Sequence, residues 1–260
     1  QLLHNIMIFI KFIMDLSIII PVFNEVKLLP KILFKIIRDT KKINKEIIIV
    51  DDCSNDGTRE WLKNISKRFN NIIIKNNKLF FSKTKLSNIK IFLKKKNEGK
   101  GSAILEGIRY TKLNDVILIQ DGDLEYFPKD INKMFRKVEN GYDVVLGNRF
   151  HKLSHYHYKI FALANFFISK LVSILYSFKI SDAAVCYKMF KRNVFENITI
   201  NSKDFMFDFE FVSKVLKKNI WRISEVNISY KGRTFKEGKK ISWLDGFRAL
   251  LVILKVKFFY

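Results

Sequence analysis

Proline and cysteine are both scarce in this sequence. Three prolines and two cysteines occur among 260 residues, while 48% of the residues are hydrophobic. A chain so poor in proline and so rich in apolar residues is a folded protein and not a disordered tail, and it is long enough for one sizeable core. The two cysteines, Cys53 and Cys186, stand far apart and belong to no paired metal or redox motif. A reducing compartment is the simplest interpretation.

Acidic residues are also few: 25 Asp and Glu stand against 48 Lys and Arg, for a formal net charge of +23. Such an excess is typical of proteins with an anionic partner. Lysine supplies most of it in a chain that is also heavy in Ile, Asn and Phe. AT-rich genomes produce that combination, so compositional drift on solvated faces is the alternative. A membrane surface fits this chain better than nucleic acid does, and no nucleic-acid partner is expected.

The N-terminus carries no convincing signal peptide. Residues 6–14 are apolar, but Lys11 interrupts them and no small-residue cleavage site follows. We expect residues 1–15 to be an N-terminal extension, residues 16–240 to form one domain and residues 241–260 to form a C-terminal amphipathic helix.

Short apolar runs alternate with helical patterns along the first 150 residues. This alternation predicts an α/β fold with a mainly parallel sheet and helices on both faces. The regularity lapses at residues 75–88, which we interpret as an insertion or a long surface loop. The predicted strands are 16–22, 46–50, 89–93, 116–119 and 143–146, and the predicted helices are 26–40, 58–68, 99–111 and 128–140.

Three carboxylates, Asp121, Asp123 and Glu125, occupy alternate positions directly after the predicted strand 116–119. In an extended segment alternate side chains point the same way, so their oxygens can converge on one point. Convergent carboxylates repel one another unless a hard cation lies between them, and Mg²⁺ or Mn²⁺ is the usual one. Gly122 leaves room for a ligand to approach the backbone. A solvated acidic loop is the alternative.

Other polar residues follow the remaining predicted strands. Because ligands of such sheets bind beyond the carboxyl ends of the strands, these positions predict a single active site. Asp51 has a second interpretation, as a cap of its strand. The residues at strand ends are Asn24, Glu25, Asp51, Asp52, Asp121, Asp123 and Arg149.

Three further features have more than one interpretation. The glycine-rich helix start at 97–101 suits either phosphate binding or close approach of a strand. Asp208 and Glu210 are either helix-start acids or groups on the catalytic side. A zinc site at His151, His155 and His157 is disfavoured because no further ligand stands at suitable spacing, and a mobile loop that closes over a nucleotide is preferred.

Together these motifs resemble the family 2 glycosyltransferases with the GT-A fold. The resemblance is strongest to the polyprenyl-phosphate branch, which includes dolichyl-phosphate mannose synthases. The matching blocks follow in the expected order from residue 16 to residue 260. They are Ile-Ile-Ile-Pro-Val-Phe-Asn-Glu at 18–25, Ile-Val-Asp-Asp-Cys-Ser-Asn-Asp-Gly-Thr at 49–58, Asn-Glu-Gly-Lys-Gly at 97–101, Asp-Gly-Asp-Leu-Glu-Tyr at 121–126, Val-Val-Leu-Gly-Asn-Arg at 144–149, Asp-Ala-Ala-Val-Cys-Tyr-Lys-Met-Phe at 182–190 and the basic loop at 228–241.

The resemblance implies roles for individual residues. A nucleotide-sugar, with GDP or UDP as its nucleotide, would lie against the ends of the first two strands, and Mg²⁺ or Mn²⁺ would hold its diphosphate. Cys53 departs from the family's usual Gly or Ser, and we expect no consequence. The implied groups are Pro21, Phe23, Glu25, Val50 and Asp52 at the base and ribose; Asp121, Asp123 and Glu125 at the metal, with Gly122 beside them; Arg149 at the diphosphate or sugar; and Arg233, Lys239 and Lys240 at a phosphate of the acceptor or of the leaving group.

The implied reaction is metal-dependent, inverting transfer of a sugar to a polyprenyl phosphate by a single displacement at the anomeric carbon. A phosphate acceptor is already anionic and needs no strong general base, whereas a sugar hydroxyl of a surface glycan, the alternative acceptor, does. The Gln-x-x-Arg-Trp signature of processive synthases is absent. A basic nucleic-acid-binding protein leaves the acidic clusters unexplained, and a nucleotide-binding pseudoenzyme has no motif defect in its favour.

Two apolar segments point to a membrane. Residues 160–178 have almost the length of a membrane span, but Lys170 near the middle would cost about 2.5–3.5 kcal/mol on insertion. We prefer a helix lying in the membrane interface to a buried one. Residues 242–260 combine apolar and basic positions, as interfacial helices do. The expected location is peripheral, on the cytoplasmic face of the membrane.

Overall fold

The computed structural model describes residues 15–68, 73–75, 78–80, 88–111, 116–150, 154–240 and 242–260. Residues 1–14 of the expected N-terminal extension lie outside this set, as do residues 76–77 and 81–87 of the expected insertion and His151 of the histidine group.

A single sheet of nine strands forms the centre of the described structure. Its middle strands are apolar and rich in Ile and Val, and all seven residues of the first strand are buried. Such uninterrupted apolar runs suit strands that are covered on both faces. The strands are β1 (Leu16–Val22), β2 (Lys45–Asp51), β3 (Ile73–Lys75), β4 (Lys78–Phe80), β5 (Asn88–Leu93), β6 (Val116–Ile119), β7 (Val144–Asn148), β9 (Lys188–Lys191) and β10 (Ile223–Asn227), and β8 (Ser154–His155) pairs with β11 (Tyr230–Lys231) in a small separate sheet.

The strand order is β10-β7-β9-β6-β1-β2-β5-β4-β3. Strand β1 pairs in parallel with β2 and β6, β2 pairs in parallel with β5, and β10 pairs in parallel with β7. Strand β9 runs antiparallel between β6 and β7, and β4 runs antiparallel between β3 and β5. The mainly parallel α/β sheet predicted from the sequence is therefore confirmed.

Helices connect these strands and cover the sheet. The first of them buries Leu29, Ile32, Leu33 and Ile36, the apolar stripe that its spacing predicts, and has a proline in its first turn, where the missing N–H costs nothing. The helices are α1 (Leu29–Asp39), α2 (Thr58–Arg68), α3 (Lys100–Ile108), α4 (Ile131–Glu139), α5 (Lys159–Tyr176), α6 (Arg192–Glu196), α7 (Phe207–Lys218) and α8 (Trp243–Phe259), with short 3₁₀ turns at Pro128–Asp130 and Phe235–Glu237.

Helix α3 lies unusually close to the sheet at Gly107. A Cβ atom at this position would lie 2.6 Å from Cγ2 of Ile19 in β1, and 3.4 Å from Cγ2 of Val50 in β2. Glycine thus lets the last turn of α3 pack directly on the central strands.

Helices α5 and α8 pack on each other, and the Tyr176 hydroxyl donates a hydrogen bond of 3.0 Å to the carbonyl of Ile253. Among the described residues, α5 is the one helix long and apolar enough to cross a membrane, and 17% of its residues are buried. Several large apolar side chains of this pair are exposed, among them Phe167 of α5 at 62% and Phe247 of α8 at 59%.

Candidate active site

A cavity of about 560 Å³ opens at the edge where β1, β2 and β6 end. The loop that follows β11 and the first turns of α5 and α8 complete its walls. Val50 does not reach it, because its fully buried side chain lies beneath α3. Of the strand-end residues, Asn24 and Asp51 do not line it either. The other residues to which the resemblance assigns a role all do: Pro21, Phe23, Glu25, Asp52, Asp121, Gly122, Asp123, Glu125, Arg149, Arg233, Lys239 and Lys240.

Asp52 is held rigidly at the end of β2. Lys94 Nζ lies 2.7 Å from one carboxylate oxygen, and the backbone N–H of Gly99 donates to the other at 2.7 Å. The N–H of Glu98 adds a third hydrogen bond at 3.1 Å. Asp51, by contrast, is fully buried, accepts from the N–H of Ser54 and does not line the cavity, so it acts as a cap of the strand end.

The glycine-rich start of α3 serves close packing. A Cβ at Gly101 would lie 2.6 Å from the carbonyl oxygen of Ser202, and the N–H of Ser102 donates to the carbonyl of Lys203 at 2.8 Å. Gly101 is therefore in close approach to another segment, as expected, but that segment is the backbone of residues 202–204 and not a strand.

The alternating pattern of the acidic segment 121–125 predicted an extended course. In the structure the segment turns instead, and Leu124 has φ +60°, in the left-handed region. The expectation that all three carboxylates converge by strand geometry is therefore wrong. Within the described ranges no group of three or more Asp, Glu, His or Cys side chains is arranged around one metal position. Instead the acids are met by cations of the chain: Lys100 Nζ lies 2.7 Å from Asp121.

Arg233 joins three acids from two separate segments. Its guanidinium lies 2.9 Å from Glu25, 2.8 Å from Asp123 and 3.5 Å from Glu125. Glu125 also accepts a 2.7 Å hydrogen bond from the hydroxyl of Tyr230. Burial raises the pKa of Glu25 to about 7, and the charge of Asp123 adds to this shift against the opposing effect of Arg233. Burial and the neighbouring Glu125 likewise raise the pKa of Asp123.

Arg149 is committed to partners inside the protein. Its side chain makes two hydrogen bonds of 2.7 Å to Asp182 and a third of 3.3 Å to the hydroxyl of Tyr126, and its guanidinium lies over the ring of Tyr230. This bidentate arrangement fixes the wall of the cavity, so Arg149 holds the aromatic side chains in place besides facing the cavity.

The outer part of the cavity is apolar and basic. Phe161 of α5 and Trp243 of α8 line it. Lys239 places its ammonium 5.6 Å from the ring centre of Phe161, and Lys240 donates a 2.6 Å hydrogen bond to the carbonyl of Phe23. The cavity therefore leads from a charged inner end to an apolar mouth edged by lysines.

The sequence profile of glycosyl transferase family 2 matches residues 17–199, which include the ends of β1, β2, β6 and β7. The chain belongs to this family. Curated relatives of this glycosyltransferase include the dolichol-phosphate mannosyltransferase of Pyrococcus furiosus, 29% identical over 54% of this chain and 34% of the relative. The undecaprenyl-phosphate 4-deoxy-4-formamido-L-arabinose transferase of Proteus mirabilis is 30% identical over 50% of this chain and 35% of the relative.

A third relative, an uncharacterized protein of Methanocaldococcus jannaschii, is 33% identical over 60% of each chain. Of the dolichol-phosphate and undecaprenyl-phosphate transferases, by contrast, the aligned part is only about a third of the length. Glucosyl-3-phosphoglycerate synthase of Mycobacterium tuberculosis, solved with Mn²⁺ and UDP-glucose, superposes with a TM-score of 0.66 at 13% identity, over 94% of this chain and 79% of that chain. This likeness confirms the predicted GT-A fold.

The glycosyltransferase also has cavity residues that the sequence reasoning missed. Tyr126 and Tyr230 line the cavity beside Arg149, and Lys100 lies between Asp121 and Asp208. The sequence contained one signal for this cluster. Lys188 stands within an apolar run, and a buried lysine requires a buried acid as partner, which here is Asp208. Of the histidine group, His155 and His157 are exposed and form no metal cluster with other described residues.

Proposed function

We propose that this glycosyltransferase moves a sugar from a GDP- or UDP-sugar to a polyprenyl phosphate, with a divalent cation and with inversion at the anomeric carbon. One observation carries the proposal: a single cavity joins a strand-edge cluster of carboxylates and cations to an apolar mouth between α5 and α8. A nucleotide diphosphate suits the first part and a lipid-linked phosphate the second. The relatives described as acting on dolichol phosphate and undecaprenyl phosphate support the same acceptor class.

The pairing of the acids favours a phosphate acceptor over a sugar hydroxyl. A hydroxyl acceptor needs a general base, whereas a phosphate is ionised at neutral pH. Within the described chain, every carboxylate that lines the cavity already has a cation, a hydroxyl or a backbone N–H as partner, and a phosphate acceptor requires none of them to act as a base. These carboxylates are Glu25, Asp52, Asp121, Asp123, Glu125, Asp208 and Asp245.

A divalent cation fits this donor set. Asp121 and Asp123 supply hard carboxylate oxygens at the cavity wall, and their pKa values are raised by burial and by neighbouring acids. Lys100 and Arg233 contact these carboxylates in the structure, and a bound cation would take over those contacts. Asp121 and Asp123 would hold the metal, with Glu125 next to them. When bound, Mg²⁺ or Mn²⁺ would neutralise charge that develops on the leaving diphosphate. The solved neighbour of the same fold with Mn²⁺ and UDP-glucose supports a divalent cation in general.

The remaining roles follow from position. Pro21, Phe23, Glu25 and Asp52 form the wall at which the base and ribose would lie, and Gly122 lets the diphosphate approach the backbone. Val50 has no direct contact with the cavity and is left out of this set. Arg149 would face the transferred sugar.

At the mouth, Arg233, Lys239 and Lys240 would receive the phosphate of the acceptor or of the leaving group. The catalytic domain would comprise residues 16–240. The exposed apolar faces of α5 and α8 would rest on the cytoplasmic surface of a membrane, where the lipid acceptor is found.

The direct test is synthesis. The protein is incubated with a panel of GDP- and UDP-sugars, Mn²⁺ and a polyprenyl phosphate, and glycolipid is measured by thin-layer chromatography. We expect one donor to give glycolipid and Asp123→Ala to lower the rate at least about a hundredfold, while exposed Glu139→Ala keeps the wild-type rate. Absence of glycolipid with every donor, or full activity in Asp123→Ala, contradicts the proposal. Product on a glycan hydroxyl, without lipid phosphate, identifies the alternative acceptor.

A further inference from the structure

A row of alternating charges is buried behind the acidic segment. It runs from Lys188 in β9 through Asp208 in α7 and Lys100 in α3 to Asp121. The contacts are 2.6 Å between Lys188 Nζ and Asp208, 3.4 Å between Asp208 and Lys100 Nζ, and 2.7 Å between Lys100 Nζ and Asp121. Four elements that lie far apart in the chain thus meet in one ionic chain.

Stability alone is a weak explanation for such a row. Lys188 has no solvent exposure and Asp208 has 3%. Removing two charges from water is costly, and well-packed apolar side chains of the same size often serve stability as well or better. Lys100 and Asp208 both line the cavity, whereas Lys188 lies behind them. The arrangement therefore presents one cation and one anion to whatever enters the cavity, with a counter-charge at their back.

Hydrogen-bonding capacity remains on both groups that face the cavity. A carboxylate offers about four acceptor sites and an ammonium three donors. The ionic contacts of Asp208 and Lys100 use two on each, and the Cys186 thiol uses a third site of Asp208. A vacant acceptor next to a vacant donor matches neighbouring hydroxyls of a sugar, since each hydroxyl donates one hydrogen bond and accepts others. Ala103, Phe205 and Phe209 line the cavity around the pair and provide apolar surface for the faces of a ring.

We propose that Lys100 and Asp208 bind hydroxyl groups of the transferred sugar, and that Lys188 positions Asp208 for this contact. The inference rests on the proposed function and deepens it, because it assigns the residues that select the sugar. Lys100 also contacts Asp121, where the diphosphate would be held. Lys100 and Asp208 therefore lie next to the diphosphate position, where the sugar attached to it would be expected.

The ionisation of Asp208 agrees with this role. Burial opposes its charge, but Lys100 and Lys188 together lower the pKa of Asp208 below its usual range. An acid that stays ionised accepts hydrogen bonds from sugar hydroxyls and is a weak base, so it recognises the sugar and does not deprotonate an acceptor.

The test compares two ligands that differ by the sugar alone. Calorimetry with Mn²⁺ present gives Kd for UDP and GDP and for their hexose conjugates. In the double variant Asp208→Asn with Lys188→Met, both buried charges go together and neither is left unpaired. We expect Kd of the preferred nucleotide-sugar to rise at least about tenfold, as for loss of a charged hydrogen bond, while Kd of the free nucleotide changes less than about threefold.

Two further variants keep the test decisive. Glu210→Gln is the matched control, because Glu210 is a buried acid of the same helix that binds backbone N–H groups outside the cavity. It is expected to leave the ratio of the two Kd values unchanged. Asp208→Glu keeps the charge and moves the carboxylate, so it is expected to alter the ranking of epimeric nucleotide-sugars. Lys188→Met alone is expected to show the same selective loss with smaller amplitude.

The outcomes separate the two proposals. If both Kd values move together in the double variant, or neither moves, the sugar assignment is overturned and the row is structural. The same holds if Asp208→Glu leaves the ranking of epimers unchanged. If the wild-type protein binds no nucleotide at all, the proposed function fails along with it. Selective loss of the nucleotide-sugar supports the assignment whichever acceptor the enzyme uses.

Discussion

At the scale of single residues, the site keeps charged groups in places that cost stability. Glu25 is 8% exposed, lies beside Asp123 and has a pKa of about 7 in the folded protein. A carboxyl group whose pKa is raised on folding binds its proton more tightly in the folded state. Its contribution therefore favours folding at pH values below that pKa, and this advantage is lost as pH rises through it.

Replacing Glu25 by Gln removes this pH dependence. With pKa values of 4.5 unfolded and about 7 folded, ionisation of Glu25 costs the wild-type protein roughly 3 kcal/mol by pH 8. We compare the unfolding free energy of Glu25→Gln with that of wild type at each pH. We expect this difference to shift in favour of the variant by about 2–3 kcal/mol as pH rises from 4.5 to 8. Urea unfolding at several pH values measures this difference, with exposed Glu139→Gln as control. A difference that stays constant with pH contradicts the prediction.

Backbone strain at Cys53 is a second residue-scale effect. Cys53 follows Asp52 and has φ +66°, in the left-handed region where a side chain costs about 1–2 kcal/mol and glycine costs nothing. The expectation that cysteine stands here without consequence therefore requires a test. Cys53→Gly relieves the strain and Cys53→Ala keeps it, so we expect the glycine variant to be about 1 kcal/mol more stable than the alanine variant. Equal urea midpoints for the two variants would show that the loop is unstrained.

At the scale of elements, the position of α3 depends on how closely it approaches β1 at Gly107. A Cβ at Gly107 would lie 2.6 Å from Ile19, whereas one at Gly246 in α8 would meet nothing within 4 Å. We expect Gly107→Ala to lose about 1–3 kcal/mol through overpacking, and Gly246→Ala to gain about 0.5–1 kcal/mol from helix propensity. Chemical denaturation followed by circular dichroism compares them. Loss of stability in both variants, or in neither, would rule out close packing as the cause.

The elements themselves could be predicted because their signals are local. Apolar runs such as 16–22 and the helical stripe of α1 are properties of a few neighbouring residues, and the structure has them where the pattern puts them. The course of 121–125 could not be predicted in this way, since a left-handed Leu124 depends on the packing around it.

Partners across the sheet are likewise set by tertiary structure. Arg149 and Asp182, or Lys100 and Asp208, stand far apart in the chain. They meet because Arg149 follows the end of β7, and because Lys100 and Asp208 lie at the starts of α3 and α7. The sequence placed acids and bases at one edge of the sheet, but it held no information on which acid would face which base.

At the scale of the whole molecule, net charge and exposed apolar surface both favour binding to an anionic membrane. The formal net charge of +23 is accompanied by exposed Phe167 and Phe247 on α5 and α8, the two helices whose other residues line the cavity together with Lys239 and Lys240. Basic charge attracts an anionic membrane, and apolar side chains that enter the interface hold the protein there. Both contributions act at the opening through which a lipid acceptor would enter.

Cosedimentation with vesicles tests this orientation. On vesicles that contain phosphatidylglycerol we expect Phe247→Glu and Phe167→Glu each to lower the partition coefficient about tenfold or more, because a buried phenyl ring is exchanged for a charge. Phe34→Glu is the matched control, since Phe34 on α1 is equally exposed at 65%. Raising salt from about 0.1 M to 1 M shortens the Debye length from about 10 Å to 3 Å, so wild-type binding should weaken strongly and a peripheral protein should be released. Equal losses in all three variants would place the membrane contact elsewhere, and wild-type protein that resists both high salt and alkaline extraction would show that α5 spans the bilayer.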